Sequence, residues 1–143
     1  MAGEDPESKP EGSRVVPRVL VVVIDDSSEV LEISARYLKT KGFEVVTSTQ
    51  GFELAGLMTR RSPEVIVLDV MLPSLAGSTL AQIVRKHSAT VPIVFYSAIP
   101  EDKGRDLLSG VTFATFVPKT QGVTALHKAI TDLLEMAPSV ARS

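Results

Sequence analysis

Acidic, hydroxyl and basic residues occupy the points where short apolar segments of this sequence end. Short runs of apolar residues bounded by prolines or polar residues are typical of strands buried on both faces of a sheet. In an open parallel sheet the carboxyl ends of the strands meet at one edge, where ligands bind. We therefore expect five side chains to lie together at that edge: Asp25, Asp26, Asp69, Ser97 and Lys119.

These residue types favour phosphoryl chemistry beside a metal ion. Three carboxylates held close together repel one another, and a divalent cation relieves that repulsion. Because the ligands are oxygens and the chain has no Cys, Mg²⁺ is the natural ion. Lys119 offers a positive charge to a phosphate, and Ser97 offers a hydroxyl donor. Asp69 is the candidate nucleophile, since carboxylates form aspartyl phosphates.

Each of these residues also has an ordinary structural interpretation. An Asp can begin a turn or cap a helix, a Ser can form a turn, and a Lys can be a solvated charge. Their coincidence at the ends of four strands makes a shared site the better interpretation. Neither histidine is expected to be a ligand: His87 should be the polar end of an apolar helical face, and His127 should lie at the surface of the last helix.

Strand and helix patterns alternate along the chain. Apolar segments predict five strands, at 18–24, 43–47, 65–68, 91–96 and 113–117. Helical spacing of apolar residues predicts a helix after each strand, and the fourth, between Pro100 and Gly110, is the weakest. This alternation predicts an α/β fold with a doubly wound parallel sheet. The flavodoxin-like (βα)5 arrangement with strand order 2-1-3-4-5 suits the length.

Composition narrows the class of protein. The chain has 143 residues and 44% apolar residues, enough for one domain with a real core. A net charge of −2 gives no basic surface for nucleic acid. The longest apolar run, 19–24, is far shorter than the ~20 residues of a membrane span. The lack of Cys agrees with a cytoplasmic location. We expect a disordered tail at 1–17, a domain at 18–136 and a flexible tail at 137–143.

Four motifs resemble the receiver domain of two-component response regulators, with the single-domain chemotaxis regulator as its type. The resemblance covers roughly residues 18–136. The matching residues are Ile24-Asp25-Asp26, the pattern D-x-x-x-P-x-x-x-G of Asp69, Pro73 and Gly77, the pair Ser97-Ala98, and Phe116 three residues before Lys119. Together these motifs are far more specific than the acidic pair alone.

The resemblance implies a role for each site residue. Asp69 would be the phosphoacceptor and, with Asp26 and the backbone carbonyl of Met71, would bind Mg²⁺ directly. Asp25 would bind the ion through water. Ser97 would hydrogen-bond the phosphoryl group and Lys119 would pair with it. The family further implies a switch involving two side chains, Ser97 and Phe116.

The resemblance also implies partners. A sensor histidine kinase or a histidine phosphotransfer protein would donate the phosphoryl group. An output protein would bind the face formed by the fourth helix, the fifth strand and the fifth helix. We expect a stand-alone signalling domain rather than an enzyme, although it would assist its own phosphorylation and dephosphorylation. No contact with nucleic acid or membrane is expected.

The sequence departs from the family pattern near its fifth strand. Thr120 follows Lys119, where the family has a proline after a cis peptide bond. A cis bond before a non-proline residue costs about 2.5–4 kcal/mol, so we expect a trans bond. We still expect Lys119 to reach Asp69. Thr112 and Phe113 replace the usual pair of small residues, which bears on the output face rather than on the acidic site.

Two other functions fit parts of the pattern. A receiver-like module that binds proteins without being phosphorylated would keep the fold. A Mg²⁺-dependent phosphatase with an aspartyl nucleophile would use similar residues, but its family places the nucleophile in a D-x-D motif after the first strand. Here that position reads Asp25-Asp26-Ser27. The sequence does not fit a dinucleotide-binding fold, because no Gly-rich loop follows the first strand.

Overall fold

The computed structural model describes residues 18–72 and 75–136, which form five strands and five α-helices. The strands are β1 (Leu20–Ile24), β2 (Glu44–Ser48), β3 (Val65–Leu68), β4 (Ile93–Ser97) and β5 (Ala114–Pro118). The helices are α1 (Ser28–Thr40), α2 (Leu54–Arg61), α3 (Gly77–His87), α4 (Glu101–Leu107) and α5 (Gly122–Met136). Strand and helix alternate along the chain, as the sequence predicted.

All strand pairs are parallel, and the strand order is β2-β1-β3-β4-β5, which confirms the predicted topology. Ile24, the last residue of β1, pairs with Ser48 of β2 and with Leu68 of β3. On the other side, Ser97 of β4 pairs with Pro118 of β5. The carboxyl ends of the strands are therefore aligned at one edge of the sheet, which we call the carboxyl edge.

Apolar side chains cover the sheet on both faces. Val21 and Val23 of β1 point into a core beneath α1 and α5, whereas Val22 and Ile24 point into a core beneath α2 and α3. Because β1, β3 and β4 are buried on both faces, they read in sequence as continuous apolar runs rather than as alternating ones. Because both faces of these strands are packed, the residues that follow each strand have fixed positions at the carboxyl edge.

The observed elements differ from the predicted ones at their ends. β5 begins at Ala114, because Phe113 has a φ of 52° in the left-handed region and cannot continue a strand. β4 begins at Ile93, after Pro92, which has no backbone N–H for the sheet. α4 has only seven residues, so the sequence indicated its weakness correctly. Pro118 lies on the edge strand, where a missing N–H is tolerated.

Some predictions concern residues outside the described ranges. The predicted tails, 1–17 and 137–143, and Pro73 of the D-x-x-x-P-x-x-x-G pattern lie outside the described residues. Within 18–72 and 75–136, no helix combines the length and the apolar character that crossing a bilayer requires.

Candidate functional site

Asp25 and Asp69 lie side by side because they follow neighbouring strands in register. The Asp69 N–H donates a hydrogen bond to the Ile24 carbonyl at 3.0 Å, and the Asp25 N–H donates to the Ser48 carbonyl at 3.1 Å. These bonds extend the sheet by one residue past β1 and β3. The two side chains are almost fully buried, with 2% of Asp25 and 4% of Asp69 exposed.

Asp26 completes a cluster of three carboxylates. One oxygen from each of Asp25, Asp26 and Asp69 lies within 4.8 Å of the others, and Asp26 is exposed whereas its neighbours are buried. Such a set of carboxylate oxygens, open on one side, suits a hard divalent cation that keeps some of its water. The donor chemistry therefore fits Mg²⁺.

Lys119 bridges the two buried carboxylates. Its Nζ atom lies 2.7 Å from Oδ2 of Asp25 and 3.0 Å from Oδ2 of Asp69. Burial lowers the pKa of Lys119, but the hydrogen bonds and charges of the two carboxylates outweigh it and raise that pKa above its usual value. The ammonium is therefore charged at neutral pH and offsets part of the repulsion between the carboxylates. The prediction that Lys119 reaches Asp69 is confirmed.

A hydrogen bond from a backbone N–H orients each of the two buried carboxylates. Oδ1 of Asp25 accepts a hydrogen bond from the Ser27 N–H at 2.9 Å, and Oδ1 of Asp69 accepts one from the Met71 N–H at 3.1 Å. Each carboxylate thus has one oxygen on the amide two residues ahead and the other oxygen on Lys119. Burial raises the pKa of Asp25 above its ordinary value, while the hydrogen bonds from Lys119 and Ser27 oppose that rise.

Ser97 ends β4 beside this cluster and is fully buried. Its pairing with Pro118 places it next to the strand that carries Lys119. Within the described residues, the Ser97 hydroxyl has no hydrogen-bond partner. A buried hydroxyl without a partner costs about 1–3 kcal/mol, so a polar ligand at the carboxyl edge would recover that energy.

Phe116 packs against α4 through a glycine. A Cβ atom added to Gly104 would lie only 2.5 Å from the Phe116 ring, so the ring rests directly on the helix backbone at that point. The ring belongs to the core beneath α2 and α3, on the same face of the sheet as Phe95, its partner in β4. Side chains alternate along a strand, so Ser97 points to this same face.

The remaining residues considered in the sequence are Met71 and the two histidines. The Met71 side chain is 63% exposed, and the prediction that its carbonyl binds a metal stays a prediction. His87 is exposed, as expected, with Nδ1 3.1 Å from the Ile83 carbonyl. His127 is partly buried rather than at the surface, because its ring packs edge-on against Tyr37 and Phe43. Neither histidine belongs to the acidic cluster.

Sequence reasoning missed two contributors to the site. Ser27 is the N-cap of α1, and its hydroxyl accepts from the Val30 N–H at 3.2 Å. Its backbone amide, which holds Asp25, has no signature in the sequence, because any residue except proline supplies an N–H. Tyr96 is buried behind the site, and burial raises its pKa while the nearby Lys119 opposes that rise.

The peptide bond after Lys119 is trans, as predicted, since the described residues contain no cis bond. After β5 the chain forms a short 3₁₀ turn over Lys119–Gln121 and then enters α5. The connection therefore differs from the cis Lys-Pro arrangement that the resemblance implies, yet Lys119 still contacts Asp69.

Comparisons with known proteins agree with this geometry. Residues 21–131 match the response regulator receiver domain. The transcriptional regulatory protein PrrA of Mycobacterium tuberculosis is 42% identical over 82 residues, which are 57% of this chain and 34% of that protein. The probable transcriptional regulator ycf27 of Pyropia yezoensis is 30% identical over 123 residues, which are 86% of this chain and 50% of that protein. The chain thus spans between about a third and a half of these relatives.

Solved structures share the fold. The chemotaxis response regulator CheY4 of Vibrio cholerae superposes with a TM-score of 0.74 at 21% identity, over 82% of this chain and 99% of that chain. The response regulator protein TrrA of Thermotoga maritima, in complex with Mg²⁺-BeF, gives a TM-score of 0.71 at 20% identity, over 80% and 98%. At this identity the likeness concerns the fold alone.

Replacing the bridging ammonium tests the electrostatics of the cluster. Lys119→Met should destabilise the metal-free protein at neutral pH by about 3 kcal/mol, because two buried carboxylates lose their counter-charge. The loss should shrink as the pH falls. Without Lys119 the pKa of Asp25 rises further above its unfolded value of 3.8, and an acid with a raised folded pKa loses stability as the pH rises through that pKa. Denaturant unfolding in the presence of a chelator, repeated from acidic to neutral pH, measures the effect.

Lys128→Met is the matched control, because Lys128 forms an exposed pair with Asp132 on α5. It should leave stability unchanged at every pH. A Lys119→Met deficit that does not change with pH would contradict this account of the cluster.

Proposed function

The chain belongs to the response regulator receiver domain family, and from that membership we propose that it accepts a phosphoryl group on Asp69 in a two-component signalling pathway. One observation carries the proposal: the Lys119 ammonium lies between the buried carboxylates of Asp25 and Asp69. A receiver-like module that only binds proteins does not require this arrangement.

The proposed reaction is an in-line transfer. A carboxylate oxygen of Asp69 forms a bond to the phosphorus of the donor, and the bond from phosphorus to the donor nitrogen or oxygen breaks with its electron pair leaving on the donor. Lys119 stabilises the charge on the phosphoryl oxygens, and the Ser97 hydroxyl donates a hydrogen bond to one of them. The Met71 amide keeps the Asp69 carboxylate oriented. Positioning and charge together lower the barrier.

Metal binding would involve the same edge of the sheet. Asp26 and Asp69 would hold Mg²⁺ directly together with the Met71 carbonyl, and Asp25 would act through water. When bound, the ion supplies positive charge that neutralises the phosphoryl oxygens. Asp26 is the exposed member of the cluster, so it is the carboxylate that solvent-borne cations meet first.

Donors and outputs follow from the family. We propose a sensor histidine kinase or a histidine phosphotransfer protein as the donor, acting in the cytoplasm, and an output protein that binds the face formed by α4, β5 and α5. Phe116 lies in this face and rests on Gly104, and Ser97 shares its side of the sheet. A shift of Ser97 toward a phosphoryl group would free space next to the Phe116 ring and alter the face. The domain acts in signalling and not as a metabolic enzyme.

The first test of the proposal uses a small phosphoryl donor. Incubation with acetyl phosphate and Mg²⁺ should add one phosphoryl group to the intact protein, measured by mass spectrometry. Asp69→Asn should abolish the addition, because the amide keeps the shape but lacks the nucleophilic charge. Asp132→Asn, an exposed residue of α5, is the matched control and should be labelled like the wild type. Equal labelling of Asp69→Asn and the wild type would refute the assignment.

The second prediction concerns the order of metal affinities. Asp26→Ala should weaken Mg²⁺ binding about 100-fold, because it removes a direct ligand, whereas Asp25→Ala should weaken it about tenfold, the effect of losing an outer-shell partner. Titration calorimetry or an intrinsic NMR shift measures both. Asp132→Ala should bind Mg²⁺ like the wild type. Equal or reversed effects of the two cluster variants would refute this order of metal affinities.

A further inference from the structure

The segment between β5 and α5 is held at both ends by residues with restricted backbones. Pro118 ends β5 with φ −64° and ψ 136°, a conformation that its ring favours. Three residues of a 3₁₀ turn follow, beginning with Lys119. Gly122 then adopts φ 80° and ψ −177°. Lys119 is thus the first residue of a short connection between two fixed points.

The conformation of Gly122 is essentially restricted to glycine. Positive φ with ψ near 180° is costly for every residue that has an L-Cβ. Among the described residues, apart from the chain neighbours and the backbone of its own helix, nothing lies within 4 Å of the position where such a Cβ would stand. The restriction therefore comes from the backbone itself and not from crowding by neighbouring side chains.

Gly122 is tied directly to the residue that bridges the carboxylates. Its N–H donates a hydrogen bond to the Lys119 carbonyl and closes the 3₁₀ turn. On its other side α5 is anchored in the core by three buried residues: Leu126, Ile130 and Leu133. If Gly122 adopted another backbone conformation, these core contacts would keep α5 in place. The change in chain direction would therefore alter the turn that contains Lys119.

We propose that Gly122 is a positioning residue for Lys119. With the peptide bond after Lys119 in the trans form, the glycine-only conformation at Gly122 redirects the chain from β5 into α5 and sets the point from which the ammonium reaches Asp25 and Asp69. The inference deepens the proposed function, since the Lys119 ammonium is the group that meets the incoming phosphoryl group.

The test compares Gly122→Ala with Gly42→Ala. Gly42 also has a positive φ, 96°, with open space around it, and it precedes β2 at the opposite edge of the sheet. Two ligands are titrated: Mg²⁺ alone, which needs the carboxylates, and beryllium fluoride with Mg²⁺, a phosphoryl analogue that also needs Lys119. Gly122→Ala should weaken beryllium fluoride binding about tenfold to 100-fold, the effect of a small misplacement. It should leave Mg²⁺ affinity within about twofold of the wild type, because the three carboxylates stay in place.

Gly42→Ala should change neither affinity, although it also places an alanine at a positive φ. If both glycine variants weaken beryllium fluoride binding equally, or if Gly122→Ala binds it like the wild type, the inference is wrong. A general loss of stability would lower both affinities together and would also count against it.

Rescue by the mirror-image residue separates positioning from folding. D-alanine favours positive φ, so Gly122→D-Ala should keep the conformation and restore beryllium fluoride binding. The chain has no Cys, so ligation at a D-cysteine followed by desulfurisation introduces D-alanine without altering other residues. If Gly122→Ala does not fold, beryllium fluoride binding by the D-alanine protein still tests the inference. Wild-type binding supports the inference, and weak binding in a folded protein overturns it.

Failure of the proposed function is a separate outcome. If the wild type binds no beryllium fluoride and accepts no phosphoryl group, crystal structures of the wild type and Gly122→Ala decide the inference. It predicts that Nζ of Lys119 moves out of hydrogen-bond distance of Asp69 or Asp25 in the variant. Unchanged distances would overturn it.

Discussion

The bridge from the Lys119 ammonium to the carboxylates of Asp25 and Asp69 is the interaction on which the carboxyl edge depends. Two carboxylates that are almost fully buried cannot both stay ionised side by side at low cost without a counter-charge. The counter-charge follows β5, an edge strand, while the carboxylates follow the adjacent strands β1 and β3. The strand order 2-1-3-4-5 is therefore a requirement of the site as well as a property of the fold.

Backbone groups make this bridge specific. The amides of Ser27 and Met71 each take one oxygen of a carboxylate and leave the other to Lys119. Because an amide of the main chain cannot rotate away as a side chain can, the carboxylates keep their direction when the ammonium moves. In the proposed function the Ser97 hydroxyl, which has no hydrogen-bond partner within the described residues, would donate to the phosphoryl group. The exposed Asp26 would be an open metal ligand. The carboxylates are therefore preorganised for a cation.

The sequence predicted the strands, their order and the meeting of Asp25, Asp26, Asp69 and Lys119, because strands buried on both faces leave unbroken apolar runs with a clear end. It could not predict the features set by single backbone conformations. The positive φ of Phe113 shortens β5, and a bulky residue is rarely expected there. The bridge from Lys119 to Asp25 and the partial burial of His127 depend on side-chain packing across elements. The role of Gly122 depends on a particular backbone conformation. Glycine permits that conformation and many others, so the residue type does not predict it.

Chemical trapping of the phosphorylated residue tests the central claim most directly. Borohydride reduces an acyl phosphate to the alcohol, so reduction of the phosphorylated protein followed by peptide mapping identifies the acceptor. The proposed function predicts homoserine at Asp69 alone, because the pattern D-x-x-x-P-x-x-x-G places Asp69, and neither Asp25 nor Asp26, at the acceptor position of the family. Conversion at Asp25 or Asp26, or a phosphorylated protein with no reduced aspartate, would contradict it.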